Sequence, residues 1–357
     1  MFPKEYFEVY PLVSPYIVRP DFIPITQDFV GRKKELLFLE RLLSENKFTR
    51  VVGVKGIGKT TLVSAYAQQQ QAIGVEIFWF TARPDIDSLQ SFLWSLASYL
   101  AKDRCDNLWK ILNFENEAGK EIPLREKIKA LILDLGNRNL LICIDNSHVI
   151  EYNKTHLRLL QHMVSKIIRS TSGITPNVKI INISGSAINT DCSTLILEKL
   201  TYDDFTNLCQ KKGVALPIKI QDTFYRVVEG NPRYVTLLYN LVLEKKPTLE
   251  KLCEWVSQFP LRPEVRNILD RERLSLSASE MELMGLLSIN YGMNPNKNAE
   301  QVDVNEKNRV LGKNVISLRQ KGFLESHPFV LNQMPEIYKN YYQSLITHKK
   351  PIGINLG

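Results

Sequence analysis

Apolar positions along the 357-residue chain fall into two alternating kinds of run. Short, nearly continuous apolar stretches occur at "TRVVGV" (49–54), "VEIFWFTA" (75–82), "RNLLICIDN" (138–146), "NVKIINISGS" (177–186) and "STLILEKL" (193–200). Between them lie longer segments whose apolar residues recur at the helical period. These are "FVGRKKELLFLERLLSE", apolar at 36, 37, 39, 42 and 43, then "KTTLVSAYAQQQQ", 88–101, 124–135 and a stretch around 153–169. A strand apolar on both faces belongs inside a sheet covered on both sides, and strands alternating with helices of this length make that sheet parallel. The pattern therefore predicts an α/β fold with helices on both faces of a parallel sheet.

After about residue 200 the strand-like runs stop. "TYDDFTNLCQKKGV", "IQDTFYRVVEGNPRYVTLLYNLVLEK" and "TLEKLCEWVSQF" have helical spacing and predict a helical lid. From "LSASEMELMGLLSI" onward, a helix ending in "NVISLRQKG", a glycine turn and two short strands around the proline at 328 suggest a winged helix. Prolines at 3, 11, 15, 20 and 24 make the start of the chain an extended arm rather than a helix. The expected organisation is an arm at 1–28, a nucleotide-binding domain at 29–200, a helical lid at 201–260, a winged helix at 261–347 and a tail at 348–357.

Composition narrows this little. Hydrophobic residues are 44% and charged residues 24%, ordinary for globular chains. No apolar run is long enough to span a bilayer, and no signal core is visible, so a cytoplasmic location is expected. Five cysteines without metal-ligand spacing read as reduced structural thiols. A net charge of +8 and a pI near 9.1 permit nucleic-acid binding without requiring it, because the cations are scattered.

Chemistry enters with Gly53-Val54-Lys55-Gly56-Ile57-Gly58-Lys59-Thr60, a complete G-x-x-x-x-G-K-[ST] loop between a strand and a helix. Its glycines let successive N–H groups turn inward on a phosphate, at the positive end of the following helix, with Thr61 next in line. Lys59 would neutralise the β- and γ-phosphates, and the Thr60 hydroxyl would ligate Mg²⁺. A second magnesium ligand is required at the end of an apolar strand, and "LLICID" supplies Asp145. The next position, where vigorous P-loop ATPases carry a carboxylate that polarises water, is Asn146. An amide orients water but accepts its proton poorly, so hydrolysis is expected to be slow. His148 is the nearest other base, against the plainer reading of a packing residue.

With Phe29-Val30-Gly31-Arg32, the P-loop, "LLICIDN", "INISGS" and Gly230-Asn231-Pro232 in this order, residues 28–345 resemble the STAND ATPases. That group is a signal-transduction branch of the AAA+ class, also similar to the origin-recognition ATPases, and "SGS" is similar to its archaeal-type members. The resemblance implies that Val30, Gly31 and Arg32 border the adenine and ribose, and that Pro232 closes the lid over the base. It places Ser184 and Ser186 where a γ-phosphate sensor sits. Origin-type relatives would aim Arg233 at phosphate, and a surface salt bridge is the other reading of that residue. No counterpart of the ADP-gating winged-helix histidine is evident, since Gln333 and Met334 stand near its place and His327 is too early.

As a recognition helix, 314–322 would offer Arg319, Gln320 and Lys321 to DNA, but "FLESHPFVL" carries no Lys or Arg, so phosphate contacts would be few. The winged helix is expected to pack internally instead. The expected function is a slowly hydrolysing switch or scaffold that binds ATP or ADP with Mg²⁺ and assembles with itself or with a separate sensor or effector. The alternative is a DNA-binding ATPase of initiator or transposition-regulator type, with duplex DNA as partner.

Overall fold

A computed structural model describes residues 20–26, 29–84, 88–136, 138–151, 153–170, 177–185, 193–289, 304–324 and 334–348. The chain divides into two compact units. The first comprises Met1–Ile25, Phe38–Arg50 and Val63–Ile183, and the second Thr26–Leu37, Val51–Leu62 and Ser184–Gly357.

Five strands form one sheet: β1 (Phe48–Val52), β2 (Glu76–Thr81), β3 (Asn139–Asp145), β4 (Asn177–Ser184) and β5 (Ser193–Ile196), in the order β2-β3-β4-β1-β5. The β2–β3 and β3–β4 pairs are parallel, with Thr81 opposite Asp145 and Ile144 opposite Asn182. β3 is an interior strand, flanked by β2 and β4, and is buried from Leu140 to Asp145, as its unbroken apolar run requires. The strand expected over 193–200 ends at Ile196. Beyond it Leu197 N–H still donates to Val52 O (2.7 Å), but Leu200 N–H has turned to Gly230 O (3.2 Å).

In the first unit, α1 (Lys33–Asn46, shared with the second unit) and α2 (Lys59–Ala72, likewise) are followed by α3 (Ser88–Ala101), α4 (Asn107–Ala118), α5 (Leu124–Leu135), the single turn α6 (His148–Glu151) and α7 (Lys154–Ser170). Their core joins Phe78 and Phe80 of β2 to Phe92 of α3, edge to face at 5.9 and 5.5 Å. α4 has no place in the expected pattern. It packs Leu108, Trp109 and Leu112 inward, Asp134 receives the N–H groups of Asn107 and Leu108, and Gly119 ends it at φ 61°. The extended segment at 20–25 pairs Asp21 with Trp79 of β2, and Pro24 O accepts from Gln68 Nε2.

The second unit is helical after β5: α8 (Tyr202–Lys211), α9 (Ile218–Val228), α10 (Pro232–Lys245), α11 (Leu249–Ser257), a 3₁₀ turn (Phe259–Leu261), α12 (Pro263–Arg273), α13 (Ala278–Ile289), α14 (Val304–Gln320) and α15 (Glu336–His348). Thr201, Asn231 and Thr248 cap α8, α10 and α11 by accepting backbone N–H bonds. One apolar core runs from Leu200 through Phe224, Tyr234 and Phe259 to Phe323 and Tyr341. The expected strands around Pro328 lie outside the described residues, as do Ser186, His327 and Gln333. Among the described residues of 261–347 the secondary structure is helix.

Candidate functional site

The phosphate loop leaves β1 at Gly53 and enters α2 at Lys59, the context a P-loop needs. Its glycines have φ of 153° (Gly53), 78° (Gly56) and 99° (Gly58). Gly53 could not carry a side chain, because a Cβ there would stand 2.6 Å from Leu197 O. Lys59 folds back over the loop, its Nζ donating to Gly53 O (2.8 Å) and Val54 O (3.0 Å). The ammonium is therefore held at the rim of the cradle formed by the loop's own backbone. Thr60 follows in the first turn of α2, where the helix dipole is positive; Ile57 of the loop is buried and Thr61 is exposed.

The second unit also holds Val30, Gly31, Arg32, Pro232, Arg233 and Ser184, and three of them, Arg32, Pro232 and Arg233, stand against this loop. Val30 packs against the helical core. Gly31 turns the chain at φ 67° with the Asp204 carboxyl so close that a Cβ would meet it at 2.5 Å. Arg32, also left-handed (φ 62°) and buried, pairs with Glu35 (2.7 Å) and donates to Glu198 O (2.6 Å) and Ile57 O (3.4 Å). It ties α1 to the phosphate loop and to the chain after β5. Pro232 opens α10, its Cγ lying 3.7 Å from where a Cβ of Gly58 would be. Arg233 stands against Gly56 and is ion-paired to Glu272 of α12. Burial pulls its guanidinium down, but Glu272 outweighs this and holds the group above its usual range. Ser184 ends β4, buried, its hydroxyl without a protein hydrogen-bond partner.

In the first unit Asp145 closes β3 with its side chain buried, and its Oδ1 accepts the N–H of Asn146 (2.8 Å). Asn146 is exposed and left-handed (φ 53°), a conformation asparagine tolerates well. Its neighbour Ser147 is buried and bonds across to Ile183 O (3.0 Å), and half-buried His148 starts α6. Behind this turn lies an ion pair the sequence reading passed over. Arg50 of β1 and Glu151 of α6 meet at 2.8 Å, their side chains 1% and 0% exposed. Burial raises the Glu151 carboxyl, and Arg50, Ser147 and Asn182 pull it back only in part.

The donor chemistry suits a nucleotide with magnesium. Hydroxyl and carboxylate oxygens such as those of Thr60 and Asp145 are hard ligands of the kind Mg²⁺ takes, alongside phosphate oxygens and water. Among the described residues no cluster of three or more His, Cys, Asp or Glu could hold a metal by itself. No described helix is long and apolar enough to cross a membrane.

Residues 41–175 match the family described as an AAA domain. Among solved structures, the chain is similar to the Walker-type ATPase of Pyrococcus abyssi (13% identity, 90% of this chain and 99% of that one, TM-score 0.56). It is also similar to the ORC2 protein of Aeropyrum pernix in ADPNP–ADP complexes (16%, 92% and 98%, 0.46) and to a STAND protein with a tetratricopeptide repeat sensor from Pyrococcus horikoshii (17%, 95% and 48%, 0.43). No curated protein matches. Identities this low speak to fold only. The chain has the α/β P-loop NTPase fold.

Proposed function

We propose that the chain is an ATP-binding, slowly hydrolysing molecular switch of the STAND type. In this reading Lys59, Thr60 and Asp145 hold the triphosphate and its Mg²⁺, and Pro232 and Arg233 report nucleotide state to the helices after β5. The observation that carries it is the intact phosphate loop at a strand-to-helix junction, abutted by the N-terminus of α10. The AAA-domain match over this region supports the nucleotide. Slow turnover is supported by Asn146, whose exposed amide takes the position of a water-activating carboxylate. The switch assembles with further copies or with a separate sensor or effector.

The test compares ATP affinity of the wild type with Lys59→Ala by fluorescent-nucleotide titration, and then mass and shape with ADP against a non-hydrolysable ATP analogue. Removing the charge-assisted phosphate contacts of Lys59 is expected to weaken binding about 10- to 100-fold. Equal affinity in the variant would defeat the nucleotide assignment. Identical mass and shape in the two nucleotide states, at confirmed occupancy, would defeat the switch.

A DNA-binding ATPase is the second reading, favoured by the +8 charge. It is weakened at the helix that would enter the groove, because Lys321 is engaged by Glu280 (2.7 Å) and Ser275 O (2.8 Å). Salt-titrated binding to duplex DNA with ATP present separates the two. Tight, salt-dependent binding would favour the DNA reading.

A further inference from the structure

The phosphate loop has an outer side as well as a cradle, and Lys55 occupies it. The Lys55 N–H does not turn into the cradle but donates to Gly322 O (3.0 Å), in the turn that ends α14. Its carbonyl accepts from Asn231 Nδ2 (2.9 Å), and the same Asn231 caps α10 by accepting from Arg233 N–H (3.1 Å). Its ammonium lies over the Phe323 ring, 4.3 Å from the centroid. Three separate groups of one loop residue thus hold two distant segments, around 231 and around 322.

The turn at the end of α14 is built for this fit. Gly322 adopts φ 76°, and its N–H and that of Phe323 close the helix on Arg319 O and Leu318 O (both 2.9 Å). A Cβ at Gly322 would stand 3.0 Å from Lys55 N, and one at Gly185, after β4, would stand 2.0 Å from Gln320 O. The turn therefore packs against both the phosphate loop and the segment that follows β4.

We propose that Lys55 couples the phosphate loop to the C-terminal turn of α14, so that phosphate in the loop and docking of that turn stabilise each other. The proposal rests on the nucleotide reading of the loop given above. Positive coupling follows from two features. First, Lys55 uses donors and acceptors on the outside of the loop, so phosphate and turn do not compete for the same groups. A loop with three glycines gains its single conformation from whichever ligand binds first, and the second then binds at a smaller entropic penalty. Second, Lys55 is half-buried, with Arg233 and Lys321 as like-charged neighbours and Glu272 as the compensating carboxylate. Phosphate oxygens in the loop add negative charge beside this cationic group and strengthen its hold.

Hydrogen exchange of the full chain, read by mass spectrometry without nucleotide and with saturating Mg²⁺–ADP, tests the coupling. In the wild type, ADP should slow exchange of the amides of residues 318–323 by at least about fivefold, the lower end of typical couplings. Gly322→Ala, which pushes the turn off Lys55, should speed exchange of the Lys55 peptide about fivefold even without nucleotide, and abolish the ADP effect at 318–323. Lys55→Met keeps the backbone and most of the stem; it should shrink that ADP effect by half or more and keeps the test standing should Gly322→Ala not fold. Unchanged exchange at 318–323 in a wild type whose phosphate loop is protected by ADP would overturn the coupling and leave nucleotide binding intact. A full ADP effect persisting in both variants would overturn it equally. A loop that ADP does not protect would instead bring down the nucleotide reading, and the coupling with it.

Discussion

Replacing Glu151 by alanine should be among the most damaging single changes in the first unit. Arg50 lies at the middle of β1, three residues before the phosphate loop begins at Gly53, and Glu151 closes the single turn that follows Asp145 and Asn146. Both side chains are essentially sealed from solvent and touch at 2.8 Å. Removing the carboxylate strands a guanidinium where water cannot reach it, a situation that costs about 3–5 kcal/mol. For a unit of this size, where each kcal/mol moves the midpoint about 2–4 °C, the melting temperature should fall by about 6–20 °C. The control is Arg41→Ala, which breaks a pair with Glu45 of similar length (2.9 Å) but with side chains 71% and 50% exposed. Such a pair is worth about 0–1 kcal/mol. A third variant, Arg50→Met with Glu151→Leu, replaces both charges by apolar side chains and should recover most of the loss, because burying a charge pair gains little over packing. Calorimetry or circular dichroism of all three supplies the test. A Glu151→Ala shift no larger than that of Arg41→Ala would show that the pair is not desolvated, and the reasoning would fail.

Other changes probe the remaining links. Asn146→Asp, which the left-handed backbone at φ 53° accommodates, should raise steady-state phosphate release at least about tenfold by placing a proton acceptor beside Asp145; an unchanged rate would mean the base is not what limits turnover. Gly31→Ala combines φ 67° with a clash on Asp204 and should lower the midpoint clearly more than Gly119→Ala, which has φ 61° but open space around it, and parallel thermal melts decide. Burial pushes the Glu280 carboxyl up, but Lys321, Ser317 and the Ser277 N–H together hold it below its ordinary 4.5. A depressed carboxylate contributes stability above pH 4.5 and loses it as pH falls through the lower folded value. The melting-temperature gap between wild type and Lys321→Met should therefore be full at neutral pH and close in acid; a gap constant with pH would assign Lys321 to packing alone.

Most of the sheet was legible because each strand is both apolar and bounded. β3 reads as an interior strand from Leu140–Ile144 alone, and the structure places it between β2 and β4. α4 escaped the periodicity reading because Asn107, Asn113, Glu115 and Asn116 dilute a short apolar stripe, although Gly119 marked its end. α12 escaped for a related reason: "PEVRNILDRER" shows only Val265 and Leu269 to the core, and charges elsewhere. The site divides in the same way. The strand-loop-helix context of the G-x-x-x-x-G-K-[ST] run was legible because its glycines and flanking apolar runs are local signals, whereas the partners of its residues were not. Nothing local to Glu272 says that it will meet Arg233, since the contact is made by helices that only the folded core brings together.

Lys55 shows the limit most clearly. In G-x-x-x-x-G-K-[ST] it is one of the x positions, free to vary as far as the phosphate is concerned, because the backbone does the binding there. That freedom is what lets a loop residue take a second task. Its N–H, carbonyl and ammonium are all spent on Gly322, Asn231 and Phe323, on the side of the loop that a phosphate motif leaves undefined. A nucleotide site connected to the rest of a fold only through its invariant residues could transmit a signal only by distorting the groups that touch the phosphate. Through Lys55, the inner glycines and Lys59 can keep one geometry for phosphate while the outer side carries the mechanical link. The prediction that follows is a separation of effects: Lys59→Ala should weaken nucleotide binding about 10- to 100-fold and leave the nucleotide-free docking of 318–323 intact. Gly322→Ala should do the reverse, weakening nucleotide binding only by the coupling factor, about fivefold.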